Sequence, residues 1–422
     1  MARFLLAAMP FAGHVTPMLS VASELVQHGH EVRLYTGRAF SARSVAAWAR
    51  PVHWEQAPDF DENDLPATFP RLVGKKGMRQ LFANLTDLFI GIAPGQLADL
   101  EAEHAREPWD ILVSEETSVG AALYTQKHGG RWATVCVAPL NLPSRLGPPS
   151  GLGLAPGRSP VSRARDALLR GLVPALSAPL DRALRRTRLA VGLSGDAPPF
   201  RSAGFSPAVM LATGVPSLDF DRGDRPGSLS WVGRLTPPAS ALELPHWWGD
   251  LDGRAIVHVT QGTQNLDRRD LIQPALQAVA SSEVTVVVTT GIPGNDELPF
   301  PVPANVRVAG FIPHDALLPR VDLVLTNGGW GGVLTALAHG IPLIVAGGDL
   351  DKPEVACRVA AAGAGIDLRT GTPRPKAIAA AYDRVTGDPA YRRAAERLAS
   401  ELEAAGGAAA AARKLEEFAA LF

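Results

Sequence analysis

Five residues in the segment TNGGWGG, residues 326–332, could together hold an anion. They are Asn327, Gly328, Gly329, Gly331 and Gly332. The segment follows the apolar run VDLVLT (321–326) and precedes a helical pattern that ends near His339. Bare backbone N–H groups at the N-terminus of a helix suit a phosphate, so the segment predicts a diphosphate ligand. The alternative is that the glycines only allow close packing.

The spacing of these glycines differs from the commoner phosphate motifs. The segment contains no G-x-x-x-x-G-K-[ST] loop. The first strand is followed by MPFAGHVTP (9–17) rather than by G-x-G-x-x-G. Nucleotide hydrolases and ordinary dinucleotide oxidoreductases are therefore disfavoured.

A parallel sheet must position the glycines, because continuous apolar runs recur along the chain with helical patterns between them. In the first half the runs are RFLLAAM (3–9), EVRLYT (31–36), DILVS (110–114) and WATVCV (132–137). In the second half they are AIVHVT (255–260), VTVVVTT (284–290), VDLVLT (321–326) and PLIVA (342–346). The pattern predicts an α/β protein with two Rossmann-like, doubly wound parallel-sheet domains, whose ligands bind at the carboxyl ends of the strands.

The same pattern divides the chain into a domain at residues 1–215 and a second domain at 236–405. Residues 216–235 are rich in Pro, Gly and Asp, which is typical of an interdomain linker. Residues 406–422 are predicted to form a final helix, with a return to the first domain as an option. A Pro- and Gly-rich loop at 138–160 is either functional or disordered. The Arg-rich helical pattern after it is interpreted as a solvated face.

The composition argues against a polyanionic partner. Apolar residues make up 46% of the 422 residues, charged residues 20%, and the formal net charge is −1. A chain of this kind is typical of a globular protein without an overall field that attracts nucleic acid. No apolar stretch approaches the ~20 residues that span a bilayer, so stable membrane insertion is not expected.

The cysteines and the N-terminus bear on the cellular compartment. Cys136 and Cys357 lie far apart in apolar stretches, which indicates buried thiols in a reducing compartment. The N-terminal MARFLLAAMPFAG lacks an A-x-A-like cleavage site and is interpreted as a first strand rather than a secretory signal. We therefore expect a cytoplasmic protein.

Three motifs, in order along the chain, carry a family resemblance. They are GHVTPML (13–19), VTQGT (259–263) and GFIPHDALLPRVDLVLTNGGWGGVLTALAHGIPLIVAGGDLDKPEVACRV (310–359). The chain resembles the GT-B glycosyltransferases of family 1, the UDP-glycosyltransferase-like group, and within it the actinobacterial natural-product (macrolide-type) branch. The resemblance implies an inverting, metal-independent hexosyltransferase that moves a sugar from a nucleotide diphosphate to a small hydrophobic acceptor. It implies no cofactor beyond the nucleotide-sugar co-substrate.

By this resemblance His14 is the general base that deprotonates the acceptor hydroxyl, and Gly13 lies beside it on the acceptor side. A histidine, whose unperturbed pKa is about 6.5, has a sizeable neutral fraction at neutral pH. Glu115 matches the carboxylate that orients this histidine, where the family usually has Asp. Glu116 is the alternative to Glu115, and a solvent-facing pair of acids is the remaining interpretation.

The resemblance also implies a nucleotide site. Phe311 matches the aromatic ring that stacks on the base, and Ile312 matches the backbone that meets the base edge. His314 matches a ribose contact. Gly262 and Thr263 match the loop that touches the diphosphate from the other side.

The donor site departs from the family at several positions. Asn327 replaces a histidine that bonds the phosphate, and its amide can donate a hydrogen bond without charge. Thr335 replaces a ribose-binding Glu, and it cannot accept from two vicinal hydroxyls as a carboxylate does. A 2′-deoxyribose would miss that carboxylate least, so dTDP is favoured over UDP. Asp351 and Lys352 replace an acid followed by Gln at the sugar, which leaves the identity of the sugar open, with a deoxysugar among the options.

A tripeptide at 349–351, DLD, resembles the D-x-D metal motif of another glycosyltransferase fold. Similar triplets recur at 59–61, 219–221 and 250–252. The match is therefore interpreted as a coincidence, and no metal site is predicted.

Two other functions fit the same fold. A nucleotide-sugar epimerase would form product from the donor alone, and a non-catalytic partner of a true transferase would tolerate Asn327 and Thr335. The joint presence of His14 and Glu115 favours an enzyme, since a retired site needs neither a base nor an orienting carboxylate. The apolar character of residues 138–160 suits a hydrophobic acceptor, but the sequence identifies neither the acceptor nor the oligomeric state.

Overall fold

Two parallel sheets organise the part of the chain that the computed structural model describes. That part comprises residues 1–75, 77–220, 222–236, 243–251, 254–262, 267–279, 284–292 and 294–421. In its N-terminal half the strands are β1 (Arg3–Ala7), β2 (Glu31–Thr36), β3 (Arg50–His53), β4 (Ile111–Glu115), β5 (Arg131–Cys136), β6 (Val209–Thr213) and β7 (Leu229–Gly233). They form one sheet in the order β3-β2-β1-β4-β5-β6-β7, and neighbouring strands are parallel.

The second sheet lies in the C-terminal half. Its described strands are β8 (Ile256–Thr260), β9 (Thr285–Thr289), β10 (Val306–Ala309), β11 (Leu323–Thr326), β12 (Leu343–Val345) and β13 (Gly365–Asp367). They are ordered β10-β9-β8-β11-β12-β13, again with parallel neighbours. The predicted α/β class with two parallel-sheet halves is therefore confirmed.

Burial explains which strands the sequence pattern predicts. All five residues of β4 and four of the five residues of β1 are buried, as expected of strands that are covered on both faces. The pattern misses the edge strand β3, because its sequence RPVH carries Arg50 and Pro51 and only Val52 is buried. An edge strand tolerates proline and charge, so it gives no apolar run.

Helices connect and cover the strands. In the N-terminal half they are α1 (Ala12–Gln27), α2 (Ser41–Ala46), α3 (Leu65–Thr68), α4 (Gly77–Ala83), α5 (Ala93–Arg106), α6 (Val119–His128), α7 (Pro160–Ala190) and α8 (Phe200–Ala203), with a π-helical segment at Asn84–Ile90. In the C-terminal half they are α9 (Ile272–Val279), α10 (His314–Leu317), α11 (Trp330–Ala338), α12 (Lys352–Ala361), α13 (Pro375–Gly387), α14 (Pro389–Ala404) and α15 (Gly407–Ala420). Short 3-10 turns lie at Arg38–Phe40, Pro70–Leu72, Pro216–Asp219, Trp248–Leu251 and Leu318–Arg320.

The connection between the halves differs from the predicted linker at 216–235. It contains the turn Pro216–Asp219 and then β7, which forms the edge of the first sheet. The sequence pattern hid this strand because its flanks are rich in proline, glycine and aspartate. The final helix α15 packs on α1 and β7, and its Leu415 and Phe418 belong to the core of the N-terminal half.

One helical stretch of the described residues, Arg79–Arg106, is long and apolar enough by composition to cross a membrane. Core helices of globular proteins meet the same criterion. Leu88, Ile90, Leu97 and Leu100 of this stretch are buried in the core beneath the first sheet. Their burial accounts for the apolar composition.

The direction in which the chain is wound reverses once in each sheet. In the first sheet the reversal lies between the neighbours β1 and β4, and in the second it lies between β8 and β11. At such a switch point the connections after the two strands turn to opposite sides and leave a crevice at the carboxyl end of the sheet. The residues that follow β1, β4, β8 and β11 are therefore the ones that can line a ligand site.

Candidate active site

His14 and Glu115 meet at the first switch point. His14 lies in the first turn of α1, directly after β1, and Glu115 is the last residue of the neighbouring strand β4. His14 Nδ1 lies 3.4 Å from Glu115 Oε2. The His14 side chain is 22% exposed, whereas that of Glu115 is fully buried. The arrangement leaves one imidazole nitrogen for a ligand and turns the other toward a carboxylate.

Backbone and hydroxyl donors hold the Glu115 carboxylate in place. The Thr117 backbone N–H donates to Oε2 at 2.7 Å, Thr117 Oγ1 lies 2.8 Å from both carboxylate oxygens, and the Met9 N–H donates to Oε1 at 3.2 Å. Burial alone would raise the pKa of this carboxyl, but the neighbouring His14 and these donors outweigh it and lower the pKa. Glu115 is therefore an anion at neutral pH.

The charge of Glu115 in turn acts on the pKa of His14. Burial alone would lower this pKa, but the Glu115 carboxylate outweighs it and holds the pKa above its ordinary value. The charges of Glu116 and of Asp351, which lies in the C-terminal half, contribute in the same direction. The effect of Asp351 places it within electrostatic reach of His14 across the cleft.

Glu116, the alternative partner of His14, is used differently. Its carboxylate oxygens accept hydrogen bonds from the backbone N–H groups of Val137 and Ala138, each at 2.9 Å. Burial and the nearby Glu115 charge raise its pKa to about 7. The described contacts thus join His14 to Glu115, while Glu116 secures the chain after β5.

Aromatic side chains surround His14 on the side of the N-terminal half. The Phe11 ring lies 5.4 Å from the His14 ring, 5.2 Å from Phe60 and 6.3 Å from Phe89, measured between centroids. Gly13 is exposed beside them, and a Cβ there would meet nothing within 4 Å. The sequence analysis missed these phenylalanines, because residues that are 49 and 78 positions apart from Phe11 meet only through the fold.

Two further polar residues at this site were also missed. Thr117 Oγ1 lies 3.4 Å from His14 Nδ1 as well as near Glu115, so it joins the two. The Glu62 carboxylate accepts a hydrogen bond from the Ala12 N–H, at 3.1 Å, at the start of α1. A local signal existed only for Thr117, which follows the two glutamates in the sequence.

The glycine-rich segment lies at the second switch point, where β11 leads into α11. Gly328 has φ +92°, and a Cβ there would lie 2.9 Å from Val345 Cγ1, so its backbone packs too closely for a side chain. Gly329, Gly331 and Gly332 are exposed, and Cβ atoms on them would meet nothing within 4 Å. This helix N-terminus therefore presents bare amides to open space, as an anion site requires.

The start of α11 is tied to the N-terminal half. Trp330 Nε1 donates to Thr213 Oγ1, at 2.9 Å, at the end of β6. The Trp330 ring also packs against Gly214, where a Cβ would lie 2.9 Å from it. These contacts hold the N-terminus of α11 against the first sheet, so that the two switch points share one cleft.

Asn327 lies between the two strands of the switch point. Its Nδ2 donates to the backbone carbonyl of Gln261, the residue after β8, and Gly262 packs beside the amide. One amide hydrogen is thus used within the protein, and the second remains for a ligand. Thr263, which was predicted to contact the diphosphate, lies outside the described residues.

The predicted nucleotide contacts flank α10. Phe311 is 43% exposed, and its ring lies 6.4 Å from that of His314 with a tilt of 26°. The Ile312 side chain is buried in the core, which leaves only its backbone for a base. Burial and the nearby cation Arg234 lower the pKa of His314, so its ring is neutral at neutral pH. Arg234 was not predicted for the site, because it lies in the presumed linker.

Thr335 lies one turn after Gly331 on α11. Its Oγ1 donates to the Gly331 carbonyl at 2.7 Å, and the residue is buried. The hydroxyl proton is therefore already engaged, and the oxygen can only accept a hydrogen bond from a ribose hydroxyl.

Asp351 and Lys352 lie where α12 begins. Lys352 Nζ pairs with Asp349 Oδ1 at 2.9 Å, so the first aspartate of the DLD tripeptide binds a lysine. Asp351 lies exposed at the mouth of the cleft, and partial dehydration by the surrounding protein raises its pKa. Within the described residues no group of three His, Cys, Asp or Glu side chains could hold a metal ion.

Known proteins resemble the chain over nearly its full length. The family described as erythromycin biosynthesis protein CIII-like, C-terminal domain, matches residues 274–418. Over 414 residues the chain is 42% identical to 4'-demethylrebeccamycin synthase of Lentzea aerocolonigenes, covering 96% of both chains. Over 415 residues it is 31% identical to UDP-glucosyltransferase A1 of Starmerella bombicola, covering 94% of this chain and 88% of the relative. The crystal structure of the glycotransferase of kitacinnamycin matches 99% of both chains with a TM-score of 0.75 at 20% identity.

Proposed function

Because this chain belongs to the UDP-glycosyltransferase-like family of GT-B glycosyltransferases, we propose that it is an inverting, metal-independent transferase. It moves a sugar from a nucleotide diphosphate to a hydroxyl of a small hydrophobic natural product. The observation that carries this proposal is the His14–Glu115 pair, which faces Asp351 of the other half within electrostatic reach. A base, its orienting carboxylate and a sugar-side acid across one cleft are the parts that such a reaction needs.

His14 is the general base of the proposed reaction. Its Nδ1 faces Glu115, and none of the described residues provides a hydrogen-bond partner for Nε2. Nε2 therefore accepts the proton of the acceptor hydroxyl as the oxygen attacks the anomeric carbon of the sugar. Attack from the face opposite the leaving diphosphate inverts the configuration. Glu115 stabilises the imidazolium that forms.

The leaving diphosphate binds at the start of α11. Negative charge grows on its β-phosphate as the bond to the sugar breaks, and the amides of Gly329 to Gly332 are placed to stabilise that charge. The free hydrogen of the Asn327 amide adds one neutral donor. Asp351, as a hydrogen-bond acceptor, holds a sugar hydroxyl, and Lys352 stays paired with Asp349 or donates to the sugar.

The acceptor lies against the aromatic surface beside His14. Phe11, Phe60 and Phe89 offer apolar faces next to the base, as expected of a pocket for a hydrophobic aglycone. The relative named 4'-demethylrebeccamycin synthase supports an acceptor from natural-product biosynthesis. The two buried free cysteines fit the reducing cytoplasm as the site of this reaction.

We propose dTDP rather than UDP as the nucleotide of the donor. Thr335 offers one acceptor oxygen where the family has a carboxylate, so a ribose 2′-hydroxyl gains little there. The name of one relative, UDP-glucosyltransferase, makes UDP the competing choice. Calorimetric titrations with dTDP and UDP at one ionic strength decide between them, and tighter binding of UDP would contradict the Thr335 argument while leaving the transferase intact.

The transfer itself is tested with purified protein, a dTDP-sugar and a panel of aromatic and polyketide alcohols, with and without a chelator. We expect a glycoside whose anomeric configuration by NMR is opposite to that of the donor, formed equally in the presence of the chelator. Retention of configuration would contradict the proposed mechanism. Product from the donor alone would favour an epimerase, and donor binding without any turnover would favour a non-catalytic partner.

A further inference from the structure

The Pro- and Gly-rich loop between β5 and α7 is held at its middle by the C-terminal half. The backbone N–H groups of Gly151 and Gly153 donate to Glu354 Oε2 at 2.9 and 3.2 Å. Gly153 has φ +61°, and a Cβ there would lie 3.0 Å from both Cβ and the carbonyl oxygen of Pro353. The loop therefore lies in direct contact with the first turn of α12.

Glu354 is oriented by an arginine one turn further along α12. Arg358 Nη2 and Nε donate to Glu354 Oε1 at 3.1 and 3.3 Å, so both carboxylate oxygens are engaged. Glu354 is 3% exposed and Arg358 is 1% exposed. Loss of one member of such a buried pair leaves its partners unpaired in a dry environment, so the arrangement resists opening.

Arg358 joins the same pair to the remainder of the N-terminal half. Its Nη2 donates to the Leu140 carbonyl, at 2.9 Å, at the start of the loop, and its Nη1 donates to Asp219 Oδ1 at 3.0 Å. Asp219 is also bound by Arg225, whose Nη1 donates to the Leu142 carbonyl at 3.0 Å. One buried ionic network thus links the loop, the crossover between the halves and α12.

We propose that Glu354 is a positioning residue that clamps this loop over the sugar end of the cleft. Glu354 shares the first turn of α12 with Asp351 and Lys352, so the clamp fixes the loop relative to the residues that hold the donor sugar. Leu152, between the two clamped glycines, is 46% exposed and offers apolar surface to an acceptor. The assignment of the sugar site rests on the proposed function.

The clamp is tested with Glu354→Gln, which keeps the size of the side chain but turns an amide toward Arg358. We expect trypsin to cleave after the exposed Arg145 and Arg158 of the loop about tenfold faster than in the wild type, the factor that corresponds to the loss of a charge-assisted hydrogen bond. The acceptor KM should rise several-fold, while the Kd for dTDP stays within about twofold, since a positioning role does not touch the nucleotide.

A second variant tests the same contact without changing the ionic network. Gly153→Ala places a methyl group against Pro353 and should release the loop in the same way. Gly129→Ala is the matched control, because Gly129 has a similar φ of +72° but a Cβ there meets nothing within 4 Å. If Glu354→Gln does not fold, Gly153→Ala still decides the question, since it alters a single surface loop.

Unchanged proteolysis and an unchanged acceptor KM in Gly153→Ala and in folded Glu354→Gln would overturn the clamp. A raised Kd for dTDP in step with the acceptor KM would also overturn it, because α12 as a whole would then be disturbed. Proteolysis needs no turnover. A wild-type protein that transfers no sugar would therefore contradict the proposed function without bearing on the loop.

Discussion

The two switch points of the molecule use the chain in different ways. Between β1 and β4, a buried carboxylate and a half-buried imidazole converge, and the charge of Glu115 sets the pKa of His14. Between β8 and β11, the chain presents glycine backbone and one neutral amide, that of Asn327. The first arrangement can accept a proton, and the second can only bind charge.

The difference teaches how a two-domain transferase divides its work. A diphosphate carries its own charge and needs many N–H donors close to its oxygens, which glycine provides because no side chain intervenes. A base needs a proton affinity that is tuned by a fixed neighbour, which only ionisable side chains provide. Chemistry therefore belongs to the first switch point and donor affinity to the second, and each half can be broken separately.

Loss of the base should have the largest effect on turnover. His14→Ala should lower the initial rate of transfer about 10³-fold, within the range that general bases contribute. His28→Ala is the control, because His28 ends the same helix and binds Glu416 at 2.8 Å, far from the cleft in sequence and function. Its rate should match the wild type. A His14→Ala protein at wild-type rate would remove His14 from the mechanism.

Loss of the orienting charge should have a smaller effect. Glu115→Gln should lower kcat about 30-fold, since the imidazolium loses its anionic neighbour while the imidazole itself remains. Glu116→Gln should change kcat less than about threefold, because this carboxyl binds backbone and, with a pKa raised to about 7, is already half-neutral near neutral pH. Equal losses in the two variants would contradict the separation of the two glutamates.

The pH dependence should follow the same pair. A base works in its neutral form, so kcat/KM for the acceptor should rise with pH and level off above the raised pKa of His14. In Glu115→Gln the charge that raises this pKa is lost, so the inflection should move to lower pH by about one unit. An inflection that stays in place would show that Glu115 does not set the proton affinity of His14.

The sequence predicted the two sheets because their central strands are buried on both faces and give uninterrupted apolar runs. It did not predict β3 or β7, which lie at the edges of the first sheet among prolines and charges. The approach of His14 to Glu115 followed from the family motif and from their places after adjacent strands. Their roles, and those of the donor residues, stay predictions until the variants are measured.

The surroundings of the site could not be predicted in the same way. The contacts of Phe11 with Phe60 and Phe89 join segments that carry no shared motif. The bond between Glu354 and the Gly151 amide spans 203 residues and depends on how the two halves meet. Such contacts are set by tertiary packing, which a local pattern does not encode.

The most direct test of this division is a pair of calorimetric titrations with dTDP, on His14→Ala and on Gly332→Ala. The new methyl group of Gly332→Ala meets nothing within 4 Å in the protein, so folding should be unharmed while the diphosphate loses its seat. We expect His14→Ala to bind dTDP within about twofold of the wild type and Gly332→Ala to bind about tenfold more weakly, the cost of roughly one charge-assisted hydrogen bond. Normal binding by Gly332→Ala, or lost binding by His14→Ala, would contradict the assignment of chemistry to one switch point and donor binding to the other.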